Sequence, residues 1–115
     1  MTMEVPMPQP CCLLYITTSD REEAEKLARA LLEERLIACA NLLPGMTSVY
    51  WWEGVIRQAS ECALIVKTTQ KLADAVTQKV KSLHSYDCPC IVSVDVEGGN
   101  PEFLAWIAGQ VRESI

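Results

Sequence analysis

What this chain has little of narrows its function first. It carries one histidine, His84, and no recognisable nucleophile–base pair, so hydrolytic chemistry is disfavoured and no enzyme is expected. Basic residues are in the minority, 10 Lys and Arg against 15 Asp and Glu, for a net charge of −5. A nucleic-acid partner would need the opposite balance. No apolar run approaches the ~20 residues that cross a bilayer, so no membrane partner is expected. Nothing glycine-rich precedes a helix in the manner of a phosphate loop. The first loop, Thr17-Thr18-Ser19-Asp20, holds no cysteine, which removes the copper-chaperone pattern of two cysteines two apart at that place. Met1 to Pro10 contains no Lys or Arg and has prolines at 6, 8 and 10. It lacks the charged start and apolar stretch of a signal peptide, and reads as an extended tail with a cytoplasmic address.

What is present describes one folded domain, residues 11–115, of a chain that is 50% apolar. In a reducing compartment its six cysteines need not pair. Cys39 and Cys62 sit among apolar neighbours as core residues, and Cys11 and Cys12 are read as accessible thiols. Cys11 to Ile16 is a continuous apolar run, as in a strand covered on both faces. Ser19-x-x-Glu22 reads as a capping box. Ala24, Leu27, Ala28, Leu31 and Leu32 follow at helical spacing, with Glu22/Lys26 and Glu25/Arg29 pairs towards solvent.

Residues 37–52 form the second strand, interrupted by Pro44-Gly45, a pair that predicts a bulge or bend. Beyond it Thr47, Val49 and Trp51 share one face, and Ser48, Tyr50 and Trp52 the other. Glu53-Gly54 predicts a hairpin turn, and Val55 to Thr68 returns as the third strand. Leu72, Ala73, Val76, Val80 and Leu83 mark a second helix ending near His84. A fourth strand alternates Cys90, Val92, Val94 and Val96 against Ile91, Ser93, Asp95 and Glu97. Gly98-Gly99 turns the chain. Asn100 and Pro101 then open a third helix, with Phe103, Leu104, Ile107 and Val111 inward.

The order βαββαβα predicts an α+β, ferredoxin-like antiparallel sheet with two helices on one face and an extra C-terminal helix. The second and third strands reach ~40 Å against ~23 Å for the first, at about 3.3 Å per residue. Their hairpin must overhang, and its tip carries Tyr50, Trp51 and Trp52. Exposed aromatics on a protruding ribbon call for a partner surface, so an oligomer is expected with these three at its interface.

Function must come from sites, because this fold serves many. RNA recognition needs aromatics on the central strands, and the third strand has none. In HSYDCPCIV, residues 84–92, His84 stands within six residues of Cys88 and Cys90. The two thiols, two apart, project to one side of an extended strand, and thiolate with imidazole suits Cu(I) or Zn(II). The competing reading makes His84 a helix-end residue, Cys90 a core thiol and Cys88 a loop residue. That ordinary reading is preferred. Lys67, ending an apolar strand, either projects to solvent or binds an anion at a subunit cleft.

Taken in order, several stretches resemble the CutA family, named for divalent-cation tolerance. They are Ala38-Cys39-Ala40-Asn41, PGMTSVYWWEG (44–54), Glu61, Lys67-Thr68, His84-x-Tyr86, Pro89, and Gly99-Asn100 with Leu104 and Trp106. The resemblance implies a homotrimer of ferredoxin-like subunits, like the PII signalling proteins, whose long hairpins join sheets between neighbours. It also implies tolerance of copper or other divalent metals through a binding or regulatory module, with no cofactor required. Lys67, Glu61, Tyr86 and Trp52 would line an intersubunit cleft suited to a metal or a small anion, or the trimer would simply dock another protein. Family members with a proposed copper site use a cysteine late in the first strand and two adjacent histidines. Here those positions hold Ile16 and Leu83, and only His84 remains. The usual His-Pro-Tyr and Pro-Glu have become His84-Ser85-Tyr86 and Pro89-Cys90.

Overall fold

A computed structural model describes residues 9–113; of the extended tail expected over Met1 to Pro10, all but Gln9 and Pro10 lies outside them, and the Pro10 carbonyl accepts from the Gln70 amide at 2.8 Å. Eight elements follow one another: β1 (Cys11–Thr18), α1 (Arg21–Glu33), β2 (Cys39–Trp52), β3 (Val55–Thr69), a single 3₁₀ turn (Gln70–Leu72), α2 (Ala73–Leu83), β4 (Ile91–Asp95) and α3 (Pro101–Gln110). The four strands make one antiparallel sheet in the order β2-β3-β1-β4, which is the predicted ferredoxin-like arrangement. Alternation along the strands divides it into two faces. Cys12, Leu14 and Ile16 of β1, with Cys62, Leu64 and Val66 of β3, turn towards α1 and α2 and form the core with Leu27, Leu31, Val76 and Val80. The opposite face has no helix over it. Leu13, Tyr15 and Ile65 there are half-buried, and Leu43, Val92 and Val94 are exposed.

β3 is the longest strand, and only its second half meets β1, from Cys62 to Thr69. Its first half, Val55 to Glu61, pairs with β2 alone, and the resulting ribbon stretches the molecule to 65 Å along its main axis. The turn sits at Glu53-Gly54, where both residues have positive φ, 50° and 77°. Two consecutive left-handed residues make the type I′ turn whose twist matches a hairpin. Lower down, the register slips between Leu43 and Met46. Pro44 and Gly45 together stand against Cys62 alone, one residue in excess, and Gly45 takes φ 78°. The slip reverses the alternation, so that Met46, Ser48, Tyr50 and Trp52 lie on the same uncovered face as Leu43.

Several expectations shift by a residue or a face. The cap of α1 is Asp20, accepting from the Glu23 amide at 2.8 Å, not Ser19. Glu25 takes both neighbouring arginines, Arg21 at 3.8 Å and Arg29 at 3.5 Å, and Glu22–Lys26 is not among the ion pairs of the described residues. β4 is limited to the residues that face β1 from Cys12 to Ile16, so Cys90, Val96 and Glu97 fall outside it. Cys39 is half-buried opposite Lys67, on the uncovered face, and is no core residue. Cys11 and Cys12 are buried, not accessible. Ile107 of α3 and Val111, its C-cap, turn inward as predicted, but Phe103 is 41% exposed and stacks on Trp106 with ring centroids 5.5 Å apart. No helix of the described residues is long and apolar enough to cross a membrane.

That last difference is measurable. Ile107→Ala should cost about 2–5 kcal/mol of unfolding free energy, and Phe103→Ala less than half as much, because its ring is only partly removed from water. Urea unfolding of both variants checks the order.

Candidate functional site

The uncovered face is walled at one end by the 84–90 loop, and the sequence explains why that loop stands still. His84 is the C-cap of α2, its amide donating to the Val80 carbonyl at 2.8 Å. Its ring is fully buried. The Tyr86 amide donates to Nδ1 at 3.0 Å, and Nε2 lies 2.8 Å from the Thr17 carbonyl. Since Nδ1 accepts, the ring hydrogen sits on Nε2 and is donated to Thr17. Both nitrogens are therefore occupied. The helix-end reading of His84 holds, and the ring is fixed by two hydrogen bonds, one within the loop and one to β1.

Glu23 completes the anchor. One carboxylate oxygen accepts from the amide and hydroxyl of Ser19, at 3.0 and 3.1 Å, and the other from the Ser85 amide at 2.8 Å. Burial pushes this carboxyl upward, but the donors of Ser19 and Ser85 outweigh it and hold it at about 2 instead of 4.5. A residue at the start of α1 thus ties down a loop 62 positions away.

Between this loop and the ribbon lies an open cavity of about 620 Å³, lined by Thr17, Ser48, Tyr50, Trp52, Arg57, Glu61, Tyr86, Asp87, Cys88 and Cys90. At its wall the Tyr86 hydroxyl donates to Glu61 Oε2 at 2.9 Å. Burial, with the Glu61 carboxylate beside it, pushes the Tyr86 hydroxyl far above the usual phenol range. Tyr86 is thus held as a neutral donor. Three of the four expected cleft residues, Glu61, Tyr86 and Trp52, come together. Lys67 does not join them within the subunit. It stands six positions along β3 from Glu61, roughly 20 Å at 3.3 Å per residue, with its Nζ donating to Asn41 Oδ1 at 2.6 Å. The basic residue of the cavity is Arg57, opposite Tyr50 across the hairpin. Counting outward from the Glu53-Gly54 turn would have found it, since Trp52 faces Val55 and Tyr50 faces Arg57.

The metal set is not assembled as expected. Cys88 and Cys90 line the cavity, but His84 does not, and its nitrogens are taken. Among the described residues no group of three or more His, Cys, Asp or Glu stands close enough to share a metal ion. Cys90 also does not face the core; its parity puts it on the uncovered face with Val92. Ile16, in place of a family ligand, is wholly buried beneath the sheet, and Leu83 is exposed on α2.

Comparison with known proteins agrees with this architecture. The family model of the CutA1 divalent ion tolerance protein matches residues 12–110. The chain belongs to the CutA1 divalent ion tolerance family. A divalent-cation tolerance protein CutA of Archaeoglobus fulgidus is 48% identical over 94 residues, 82% of this chain and 91% of that protein. Protein CutA 1, chloroplastic, of Oryza sativa is 41% identical over 105 residues, 91% of this chain. This chain spans only 59% of the rice protein's length and 57% of a relative from Arabidopsis thaliana. The crystal structure of CutA1 from Oryza sativa superposes with a TM-score of 0.90 at 40% identity, covering 93% of this chain and 98% of that one.

In this CutA1-family chain the Glu23 anchor carries a pH signature. Its folded carboxyl lies below its ordinary value, so its stabilisation is complete above pH 4.5 and disappears as pH falls towards 2. Glu23→Gln should remove that part of the acid-range slope, read from urea unfolding at stepped pH. At neutral pH Glu23→Ala should cost roughly 1–3 kcal/mol, the range for hydrogen bonds to a charged group.

Proposed function

We propose that this divalent-cation tolerance protein acts by binding, not by catalysis, as a regulatory module built as a homotrimer with its cavity at a subunit boundary. The observation that supports this best is the uncovered sheet face. It carries Leu13, Tyr15, Ile65, Val92 and Val94 on the sheet and Tyr50 and Trp52 on the ribbon, with the polar cavity of Ser48, Arg57 and Glu61 between them. Exposed apolar patches of this kind mark an interaction site. The ribbon also ends in unpaired backbone edges that another strand can complete. A second copy of the chain offers both a matching apolar face and a matching edge. Three copies is the number that the CutA resemblance implies.

The non-catalytic part of the proposal rests on His84, whose ring nitrogens are both engaged, leaving no imidazole to activate a thiol or hydroxyl in the cavity. Six free thiols suit a reducing, cytoplasmic setting, although relatives are described as chloroplastic and, for the Archaeoglobus structure, periplasmic.

A specific observation favours a second reading, a small anion as the ligand. Arg57 lines the cavity with the hydroxyls of Ser48 and Thr17, and aromatic Tyr50 and Trp52 flank them. A guanidinium and hydroxyl donors recognise phosphate or carboxylate oxygens.

Trp52→Ala should weaken assembly by ~3–5 kcal/mol, the scale of a large-to-small change in a packed site. Light scattering across a dilution series reads it, and a wild-type chain that stays monomeric at micromolar concentration would sink the proposal. For the anion, thermal shift with inorganic phosphate and with nucleotides is the screen. Arg57→Ala should weaken a bound anion by about 1.5–3 kcal/mol, whereas Lys26→Ala, on the far side of α1, should leave it unchanged. Equal losses in both would mean diffuse charge alone.

A further inference from the structure

We propose that the cavity takes a zwitterion, an aromatic α-amino acid, whose carboxylate meets Arg57 and whose ammonium meets Glu61 and Asp87. The inference rests on the binding reading of this cavity and specifies the kind of molecule that carries the anionic group.

The charges of the cavity are unequal. Of its lining residues Arg57 is basic, and Glu61 and Asp87 are acidic. A bare anion drawn to Arg57 would share a small space with two carboxylates, and like charges repel across it. A molecule that also carries an ammonium turns that repulsion into attraction.

The ribbon separates the two signs. Beyond the bulge, Val55, Arg57, Ala59 and Glu61 of β3 share the open face with Trp52, Tyr50, Ser48 and Met46 of β2, each opposite its partner. Arg57 and Glu61 are four residues apart, about 13 Å between Cα atoms at 3.3 Å per residue. Ala59 and Ser48 make the rung between them. Both are small, so the floor between the charged residues stays open. The long stems of arginine and glutamate shorten the gap to the length of a small molecule. Arg57 stands towards the tip with Tyr50 and Trp52, and Glu61 towards the sheet with Tyr86.

The acidic end is arranged to receive a donor. The Tyr86 hydroxyl donates to Glu61 Oε2 at 2.9 Å. This holds the carboxylate at the cavity wall and leaves Oε1 to accept from a ligand. Asp87 follows a backbone tied by Ser85 to Glu23 and by Tyr86 to His84, so the second carboxylate sits on a held loop. An ammonium has three donors and no acceptor, which suits two carboxylates. At the basic end the planar guanidinium pairs with a carboxylate through two parallel hydrogen bonds, and Ser48 on the middle rung adds a hydroxyl.

The aromatic walls define the rest of the ligand. Tyr50 and Trp52 are 40% and 50% exposed and line the cavity beside Arg57. Open ring faces next to a charged group receive a ligand's ring by offset or edge-to-face stacking. The volume of about 620 Å³ falls within the range of small-molecule sites, roughly 300–1,000 Å³.

The test is isothermal calorimetry on the full chain with four probes: L-phenylalanine, 3-phenylpropionate, which lacks the ammonium, 2-phenylethylamine, which lacks the carboxylate, and inorganic phosphate. Phenylalanine should bind about tenfold or more tightly than either truncated analogue, the scale of one lost hydrogen bond to a charged group. The variants should move these preferences selectively. Glu61→Gln combined with Asp87→Asn should erase the preference for phenylalanine over 3-phenylpropionate, and Arg57→Gln the preference over 2-phenylethylamine. If 3-phenylpropionate or phosphate binds as tightly as phenylalanine, the zwitterion is overturned and the simple anion stands. Equal binding of 2-phenylethylamine, or preferences that survive their variants, would also overturn it. No heat from any probe would overturn both.

Discussion

The mismatch between β1 and β3 is the constraint on which the rest of this molecule depends. β1 has 8 residues and β3 has 15, so the sheet has partners for half of its longest strand. The other half survives as a two-stranded ribbon with no helix above or below it. Isolated hairpins are marginal in water, and this one is also apolar, with Trp51 at 70% and Trp52 at 50% exposure. Stability of the ribbon must therefore come from outside the subunit, and the proposed trimer is the simplest source. The bulge at Pro44-Gly45 serves the same end. By reversing the alternation it brings Tyr50 and Trp52 onto the face that the helices leave open, the face that also carries Leu13, Tyr15 and Ile65.

The cavity inherits its character from the same geometry. One wall is the ribbon, which contributes Ser48, Tyr50, Trp52, Arg57 and Glu61. The other is the 84–90 loop, held by the doubly hydrogen-bonded His84 ring and the ionised Glu23 carboxylate. Fixed donors and aromatics on these walls suit the proposed oxyanion, with Arg57 and the Ser48 and Thr17 hydroxyls as its donors. Divalent-cation tolerance is a family property; the anion is a proposal for the particular residues that line this chain's cavity.

Much of this was legible in the residues. Helical spacing from Ala24 to Leu31, the Glu53-Gly54 turn and the Pro44-Gly45 interruption each carry a local physical signal, and the structure follows them. Other features depended on distant partners. Ser19 and Asp20 are equally good caps, each with a glutamate three residues on; Asp20 takes the role, and the Glu23 carboxylate reaches back to Ser19 and across to Ser85. Cys39 looked like core until its register with Lys67 put it on the open face. His84 gave no local hint that the Thr17 carbonyl would take its ring hydrogen. Arg57 was missed because an exposed arginine on a strand has no signature of its own, and Lys67 was chosen by position when only the register could show how far along β3 it lies.

Amide hydrogen exchange along the ribbon tests most directly whether the overhang is completed by another copy. In a lone subunit, amides from Val55 to Glu61 that are not bonded to β2 face water and exchange within seconds. If a neighbouring chain covers that edge, they should exchange as slowly as the amides of Cys62 to Thr69, which β1 already protects. Slow exchange on both halves of β3 is the expected result; fast exchange confined to the overhang would contradict the account.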